Sequence, residues 1–161
     1  MSETVQVRRT LGFLLQDASR LMRRRFVQCS READLRLNRS EAAVLVHVFH
    51  SPGINQTKLA NYLDIETISV VRLIDSLQAA GLIERRLQSG DRRLRTLWLT
   101  AAGTAKVGQI KEVALAVRGQ ALVGLSEQEH ERLLDLLTGI RANLASAADG
   151  ATGETSEEAA A

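Results

Sequence analysis

The apolar residues of this chain recur mainly at the three- and four-residue spacing of amphipathic helices. Seams of this kind run through the N-terminal region, the middle and the C-terminal region. Their main positions are Leu11, Leu15, Ala18, Met22, Phe26 and Cys29; then Val70, Leu73, Ile74 and Leu77; and finally Leu133, Leu137, Ile140 and Leu144. The pattern predicts a mainly helical protein.

Residues 82–99 break this helical spacing. The middle seam, over 66–80, ends at Gly81, and two short strands are predicted around a turn-forming cluster at 88–91. A helix followed at once by a hairpin is the layout of a winged helix-turn-helix, in which the helix reads the major groove of DNA and the wing reaches the minor groove. We therefore expect a mainly α (α+β) fold, a winged helix-turn-helix with long N- and C-terminal dimerisation helices.

Capping residues mark where helices begin. Asn38 with Glu41, and Ser126 with Glu129, form capping-box patterns, and Asn55 and Thr100 are further candidate caps. The predicted division is an N-terminal dimerisation helix (1–36), a winged helix-turn-helix (37–100, with groove helix 66–80 and wing 82–99), C-terminal dimerisation helices (101–148) and a disordered acidic tail (149–161). The flanking seams exceed what a small winged core can bury, which predicts a homodimer.

Charge and composition favour a nucleic-acid partner. The formal net charge is +2, but four acids and no base follow residue 148, so the remaining body is more basic. Arginines crowd the wing, at Arg85, Arg86, Arg92, Arg93 and Arg95, and guanidinium groups suit phosphate and guanine. With one cysteine, no targeting signal and no apolar run long enough for a membrane span, we expect a cytoplasmic protein that does not act at a membrane.

Elementary chemistry suggests further DNA contacts. Gln56 and Thr57 are predicted at the first turn of a short helix, where free N–H groups and the helix dipole favour a phosphate. Ile68 is predicted to face outward from the groove helix, where an apolar group could pack on a thymine methyl. Thr67 and Ser69 flank it and are expected in the major groove.

The stretch LANYLDIETISVVRLIDSLQAAGLIERRLQSGDRRLRTLWLTAAG resembles the helix-turn-helix and wing of the multiple-antibiotic-resistance-repressor (MarR) family. The pieces IExxSxVRxxDxL and DRRxRxxxLT are most similar to its SlyA branch. The resemblance extends more weakly over about residues 8–146. It implies a homodimer on pseudo-palindromic double-stranded DNA, repression or anti-repression of transcription, and modulation by a small anionic aromatic effector or an oxidant.

The resemblance also implies roles for single residues. Arg93 matches a wing-tip arginine that enters the minor groove, Asp91 an acid that holds this arginine, and Arg72 a DNA-contacting arginine of the groove helix. The complete predicted DNA-binding set is Gln56, Thr57, Thr67, Ile68, Ser69, Arg72, Arg85, Arg86, Asp91, Arg92, Arg93 and Arg95.

Several positions depart from the family pattern. The family's aromatic-carboxylate pocket uses a Trp and a His on the second helix, where this chain has Ala42 and Val46, so Arg20 and His47 become the candidates for an effector site. Trp98 replaces a polar strand residue. We expect it to point away from the buried side of its neighbours, to cover part of the first or fifth helix or to be partly exposed.

The sequence favours other functions less than DNA binding. No Gly-rich phosphate loop or nucleophile context favours an enzyme, and no cofactor is expected. Cys29 is expected to be a packing residue, and His47, His50 and His130 do not form a local metal-binding motif, although a cysteine- or metal-sensing regulator stays open. A winged-helix dimer that binds protein is the remaining alternative, but it would have no need of an arginine-rich wing.

Overall fold

The computed structural model describes residues 9–88 and 91–154 and, within these ranges, all side chains except those of 88, 91–94 and 148–154. Six helices and two strands occur in the described ranges, and they confirm the predicted mainly helical winged helix-turn-helix. In chain order they are α1 (Leu11–Glu32), α2 (Arg39–His50), α3 (Gln56–Leu63), α4 (Thr67–Ala79), β1 (Ile83–Gln88), β2 (Asp91–Leu99), α5 (Ala101–Ala121) and α6 (Glu127–Glu154).

The predicted capping residues start four of these helices. Asn38 and Glu41 form a reciprocal capping box at α2, with both hydrogen bonds at 2.9 Å. The Asn55 side chain accepts from the third backbone N–H of α3 at 2.9 Å, and Thr100 accepts in the same way at α5 at 3.0 Å. At α6 the Glu129 carboxylate accepts the Ser126 N–H at 2.8 Å.

Left-handed residues follow the ends of α1, α3 and α4, and of these three only the one after α4 is a glycine. Gly81, with φ +69°, ends α4 as predicted, and the N–H groups of Gly81 and Leu82 return to the last turn at 2.9 Å each. Asp34 and Asp64 have the same left-handed conformation after α1 and α3, with φ +47° and +52°. An aspartate tolerates this region better than most side chains, but it marks the end of a helix less plainly than a glycine does.

The main core gathers the inward seams of α2, α4, α5 and the sheet. Val70, Ile74 and Leu77 of α4 are all buried, which confirms the predicted seam of the groove helix. They pack in one cluster with Leu45 of α2 and Val107 of α5. Burying one such side chain fully stabilises the fold by roughly 1.5–3 kcal/mol, so the orientation of α4 is strongly specified.

The two strands form an antiparallel hairpin, with Ile83 opposite Leu99 and Gln88 opposite Asp91. Both strands therefore reach further toward the turn than the sequence predicted. An isolated bridge between Ile54 and Leu97 adds a third piece to this sheet.

Trp98 is partly exposed, as one of the predicted alternatives held, but it covers a turn rather than a helix. Its indole lies against Gly53, where a Cβ would sit 3.1 Å from the ring. Its Nε1–H donates to Oγ1 of Thr96 at 2.9 Å.

Helix α1 packs along α5 through Phe26, Cys29, Val113 and Val117. Much of its remaining apolar surface is exposed, namely at Leu11, Leu14, Leu15, Leu21 and Met22.

The second compact unit, Leu122–Ala161, contains α6. Leu133, Leu134, Leu136 and Leu144 are exposed on this helix. It continues to Glu154, past the predicted boundary at 148, and the rest of the predicted acidic tail, 155–161, lies outside the described residues. Every helix in the described ranges is too short or too polar to traverse a lipid bilayer.

Candidate nucleic-acid interface

The outward face of α4 carries four of the predicted DNA-binding residues. Thr67, Ile68, Ser69 and Arg72 are all exposed, whereas Val70 between them is buried. Ile68 is 62% exposed, which is unusual for a large aliphatic side chain on a helix whose other face forms a core. The arrangement presents a slim surface with an apolar group, two hydroxyls and one guanidinium.

The first turn of α3 presents Gln56 and Thr57 to solvent. The Asn55 cap satisfies the N–H of Lys58, and the lysine side chain is itself exposed. The sequence analysis did not include Lys58, which adds a cation to the predicted phosphate contact at this helix N-terminus.

Arg85 of β1 turns back onto the groove helix. Its guanidinium donates to Oδ1 of Asp75 and Oε1 of Gln78, each at 2.5 Å, and the Arg85 side chain is only 19% exposed. We call Arg85, Asp75 and Gln78 the wing clamp. The structure thus gives Arg85 partners within the protein, and its predicted contact with DNA stays a prediction.

The second arginine of β1, Arg86, also has partners within the ribbon. It donates to the Glu84 carboxylate through Nε at 2.8 Å and through a terminal nitrogen, and its guanidinium carbon lies 4.7 Å from the centre of the Trp98 ring. At 54% exposure it keeps more access to solvent than Arg85.

The remaining wing residues lie on β2. Arg95 is exposed. The backbone of Asp91, Arg92 and Arg93 is part of the strand, but their side chains lie outside the described set. The minor-groove role of Arg93 and the orienting role of Asp91 therefore stay predictions.

A second contact joins the groove helix to α2. Ser76 of α4 donates through its hydroxyl to Oε1 of Glu41 at 2.8 Å, while Oε2 of the same carboxylate accepts the Asn38 N–H. Glu41 therefore caps α2 and holds α4 at the same time. Sequence spacing revealed its capping role only, because the contact spans 35 positions in the chain.

The two predicted effector residues have different partners among the described residues, and their shared role stays a prediction. Arg20 donates to Asp17 one turn earlier on α1, and His47 stacks on Tyr62 of α3 at 5.9 Å between ring centres. A surface cavity of about 490 Å³ lies between the end of α1 and the start of α2, and its lining includes neither residue.

Two further groups bear on the sensing alternatives. Cys29 is a free thiol that is buried against α5, as expected of a packing residue. Glu127, His130 and Glu131 bring donor atoms within 4.8 Å of one another at the start of α6, a cluster that the sequence did not predict. Carboxylates in the first turn of a helix also complement its dipole, so this cluster by itself indicates no metal.

Comparisons with known proteins agree with this architecture. The MarR family model matches residues 37–94. The transcriptional repressor CouR, solved bound to a 23-mer DNA duplex, is 27% identical, with a TM-score of 0.75 over 88% of this chain and 99% of its own.

Two more distant structures share the fold. The transcriptional regulator SlyA is 23% identical, with a TM-score of 0.70 over 90% of this chain and 96% of its own. A MarR family protein of Mycobacterium tuberculosis, in complex with salicylic acid, is 22% identical, with a TM-score of 0.69 over 81% and 96%. The match to the MarR family model thus covers the winged segment, and the fold is shared with these structures over most of the chain.

Proposed function

We propose that this protein is a cytoplasmic, homodimeric repressor or anti-repressor that binds pseudo-palindromic operator DNA and responds to a small-molecule effector. The two motifs around the groove helix and wing favour the SlyA-like branch. The observation that carries the proposal is the outward face of α4, where Thr67, Ile68, Ser69 and Arg72 are exposed beside an arginine-rich ribbon.

Each part of this surface fits a different element of duplex DNA. The exposed aliphatic group of Ile68 suits a thymine methyl, and the Arg72 guanidinium suits a guanine edge or a phosphate. Gln56, Thr57 and Lys58 present polar and cationic groups at a helix N-terminus, which suits the backbone. Arg93 is assigned to the minor groove and Asp91 to its orientation.

The dimer is proposed from the apolar surface that a single chain leaves in water. In α1 alone, Leu11, Leu14 and Leu21 are each at least half exposed, and contiguous apolar surface of this kind marks an interaction site. Two copies joined through their terminal helices would present two groove helices to half-sites about one helical turn, roughly 10 base pairs, apart.

A genome-wide footprint of the tagged protein would supply the operator, and fluorescence anisotropy on that operator would test the interface. Arg72→Ala should lower affinity by about 1–3 kcal/mol, whereas Arg118→Ala, at an exposed arginine near the end of α5, should leave it unchanged. Equal affinities for the two variants would contradict the assignment of α4. A protein that enriches no genomic fragment would instead favour the protein-binding alternative.

Replacing the contacted thymine by uracil would test the role of Ile68. The wild-type protein should lose as much affinity on the uracil operator as Ile68→Ala loses on the thymine operator, because each change removes one side of the same apolar contact. Ile68→Ala should lose no further affinity when it is tested on the uracil operator. Additive losses would show that the side chain and the methyl group do not meet.

A further inference from the structure

The Glu41 carboxylate lies between α2 and the groove helix, and both of its oxygens accept hydrogen bonds. Oε2 accepts the Asn38 backbone N–H at 2.9 Å, and Oε1 accepts the hydroxyl of Ser76 on α4 at 2.8 Å. The first bond caps α2, but the second holds a negative charge against the helix proposed to enter the major groove. A carboxylate is an unfavourable neighbour for a surface that approaches phosphate groups, so its position beside α4 needs an explanation.

Arg72 lies one helical turn before Ser76 on the same face of α4. Residues four apart on a helix have Cβ atoms about 5–6 Å apart. Helical side chains also lean toward the N-terminus of their helix, so the Ser76 hydroxyl, and the Glu41 carboxylate bonded to it, lie over the turn that carries Arg72. The carboxylate is therefore within reach of the long Arg72 side chain.

Arg72 nevertheless stays free of this carboxylate. Its side chain is exposed, and among the described residues it forms neither an ion pair nor a side-chain hydrogen bond. The arginines of β1 differ, because Arg85 and Arg86 are each paired with a carboxylate. An ion pair inside the protein would compete with a contact between Arg72 and DNA, so the freedom of its guanidinium matters for binding.

The cation of α2 nearest in sequence to Glu41 is poorly placed to compete with Arg72. Arg39 precedes Glu41 by two residues, and side chains two positions apart on a helix point to different sides. A carboxylate oxygen released from Ser76 would instead face α4, where Arg72 is one turn away.

We propose that Ser76 is a positioning residue for DNA binding, because its hydroxyl keeps the Glu41 carboxylate from capturing the Arg72 guanidinium. With the Asn38 N–H on one oxygen and the Ser76 hydroxyl on the other, the carboxylate is occupied and Arg72 stays available to the duplex. This role rests on the proposed function, since it has an effect only if α4 meets DNA. A merely structural hydrogen bond would hold α4 in place without any dependence on Arg72.

Nitrogen-15 NMR of the intact protein without DNA would test the capture directly. The Nε–H signal of Arg72, assigned by its loss in Arg72→Lys, should exchange rapidly with water in the wild type. In Ser76→Ala this exchange should slow by about threefold, because the guanidinium then pairs with Glu41 at a solvent-exposed site. Adding Glu41→Gln to Ser76→Ala should restore rapid exchange. Equal exchange in the wild type and Ser76→Ala would overturn the proposal.

Fluorescence anisotropy on the operator would test the consequence for binding. Ser76→Ala should weaken affinity about threefold to fivefold, the range within which an exposed ion pair can compete. Adding Glu41→Gln should restore nearly the wild-type affinity, because a neutral amide does not form an ion pair with arginine. Ser76→Thr keeps the hydroxyl and should bind like the wild type. The matched control is Ser146→Ala, at an exposed serine of α6, and it should also bind like the wild type.

A purely structural bond predicts different results from the same variants. Glu41→Gln should then fail to restore binding, and Ser76→Ala should weaken binding as much in an Arg72→Ala background as in the wild type. Capture predicts no further loss in that background, because the two changes act on one interaction. Unchanged affinity of Ser76→Ala, failed restoration, or a loss that persists without Arg72 would refute the proposal. A wild type that binds no operator would refute the proposed function, and the NMR exchange rates would still decide whether Glu41 captures Arg72.

Discussion

The wing clamp offers a sharp test of how the ribbon is held against the groove helix. The perturbation is a double-mutant cycle on its ion pair: Asp75→Ala, Arg85→Ala and the double variant. The Arg85 side chain is 19% exposed and the Asp75 side chain is 57% exposed, so solvent screens mainly the carboxylate. The cycle isolates the pairwise interaction because losses of packing from each single change cancel.

The magnitude follows from this exposure. Fully exposed ion pairs contribute about 0.2–1 kcal/mol, whereas hydrogen bonds to charged groups in less exposed settings contribute about 1.5–3 kcal/mol. We expect a coupling near 1.5 kcal/mol for Asp75 and Arg85, measured as free energy of unfolding in urea. The neighbouring pair Glu84 and Arg86, with 44% and 54% exposure, is the matched control and should give less than about 0.5 kcal/mol.

Operator affinity gives a second readout, because electrostatics and positioning predict opposite effects of Asp75→Ala. Asp75 lies on the groove helix, so removing its negative charge should tighten binding to phosphate if electrostatics alone decided the result. If the clamp positions the ribbon, Asp75→Ala should instead weaken binding. Equal coupling energies for the two pairs, or tighter binding by Asp75→Ala, would refute the clamp.

Three further predictions concern α5, the wing and α6. Gly103→Ala should destabilise the fold by about 3 kcal/mol, because the new Cβ would lie 2.0 Å from a backbone carbonyl oxygen. The control Gly108→Ala meets open space and should stabilise the fold by up to about 1 kcal/mol. Thermal melts of both variants would check the two signs. Arg93→Ala should weaken operator binding by about 1–3 kcal/mol and flatten its salt dependence in anisotropy titrations; an unchanged slope would contradict the assignment. The Ser126 backbone N–H lowers the pKa of Glu129 below its ordinary value, so the stability that this carboxylate adds is present above its unfolded-state pKa and is lost as the pH falls through the lower folded-state pKa. The stability difference between wild type and Glu129→Gln should therefore shrink as the pH falls through that window.

Local signals made much of the fold predictable. The start of α2 could be predicted because the capping box of Asn38 and Glu41 spans only four consecutive residues. The end of α4 could be predicted because Gly81 adopts positive φ without strain. The seam of α4 could be read from spacing because a helix repeats every 3.6 residues. The exposed face opposite that seam, including Ile68, followed from the same geometry.

The contacts that depend on tertiary structure could not be read in this way. Sequence composition identified Arg85 as a wing arginine, but only the packing of β1 on α4 reveals that its charge is used inside the protein. The burial of Ser30 on α1 could not be predicted either, because a serine in a helix usually faces solvent or bonds its own backbone. Long-range pairs of this kind have no characteristic spacing.

The indole of Trp98 has a practical consequence. The chain contains one tryptophan, and it sits in the ribbon with a guanidinium over its face. With excitation at a wavelength that the one tyrosine does not absorb, the emission of the unlabelled protein therefore comes from a single known location, and we expect it to change when Arg86 moves relative to the ring. Stopped-flow mixing with duplex could follow motion of the ribbon in real time without any attached dye.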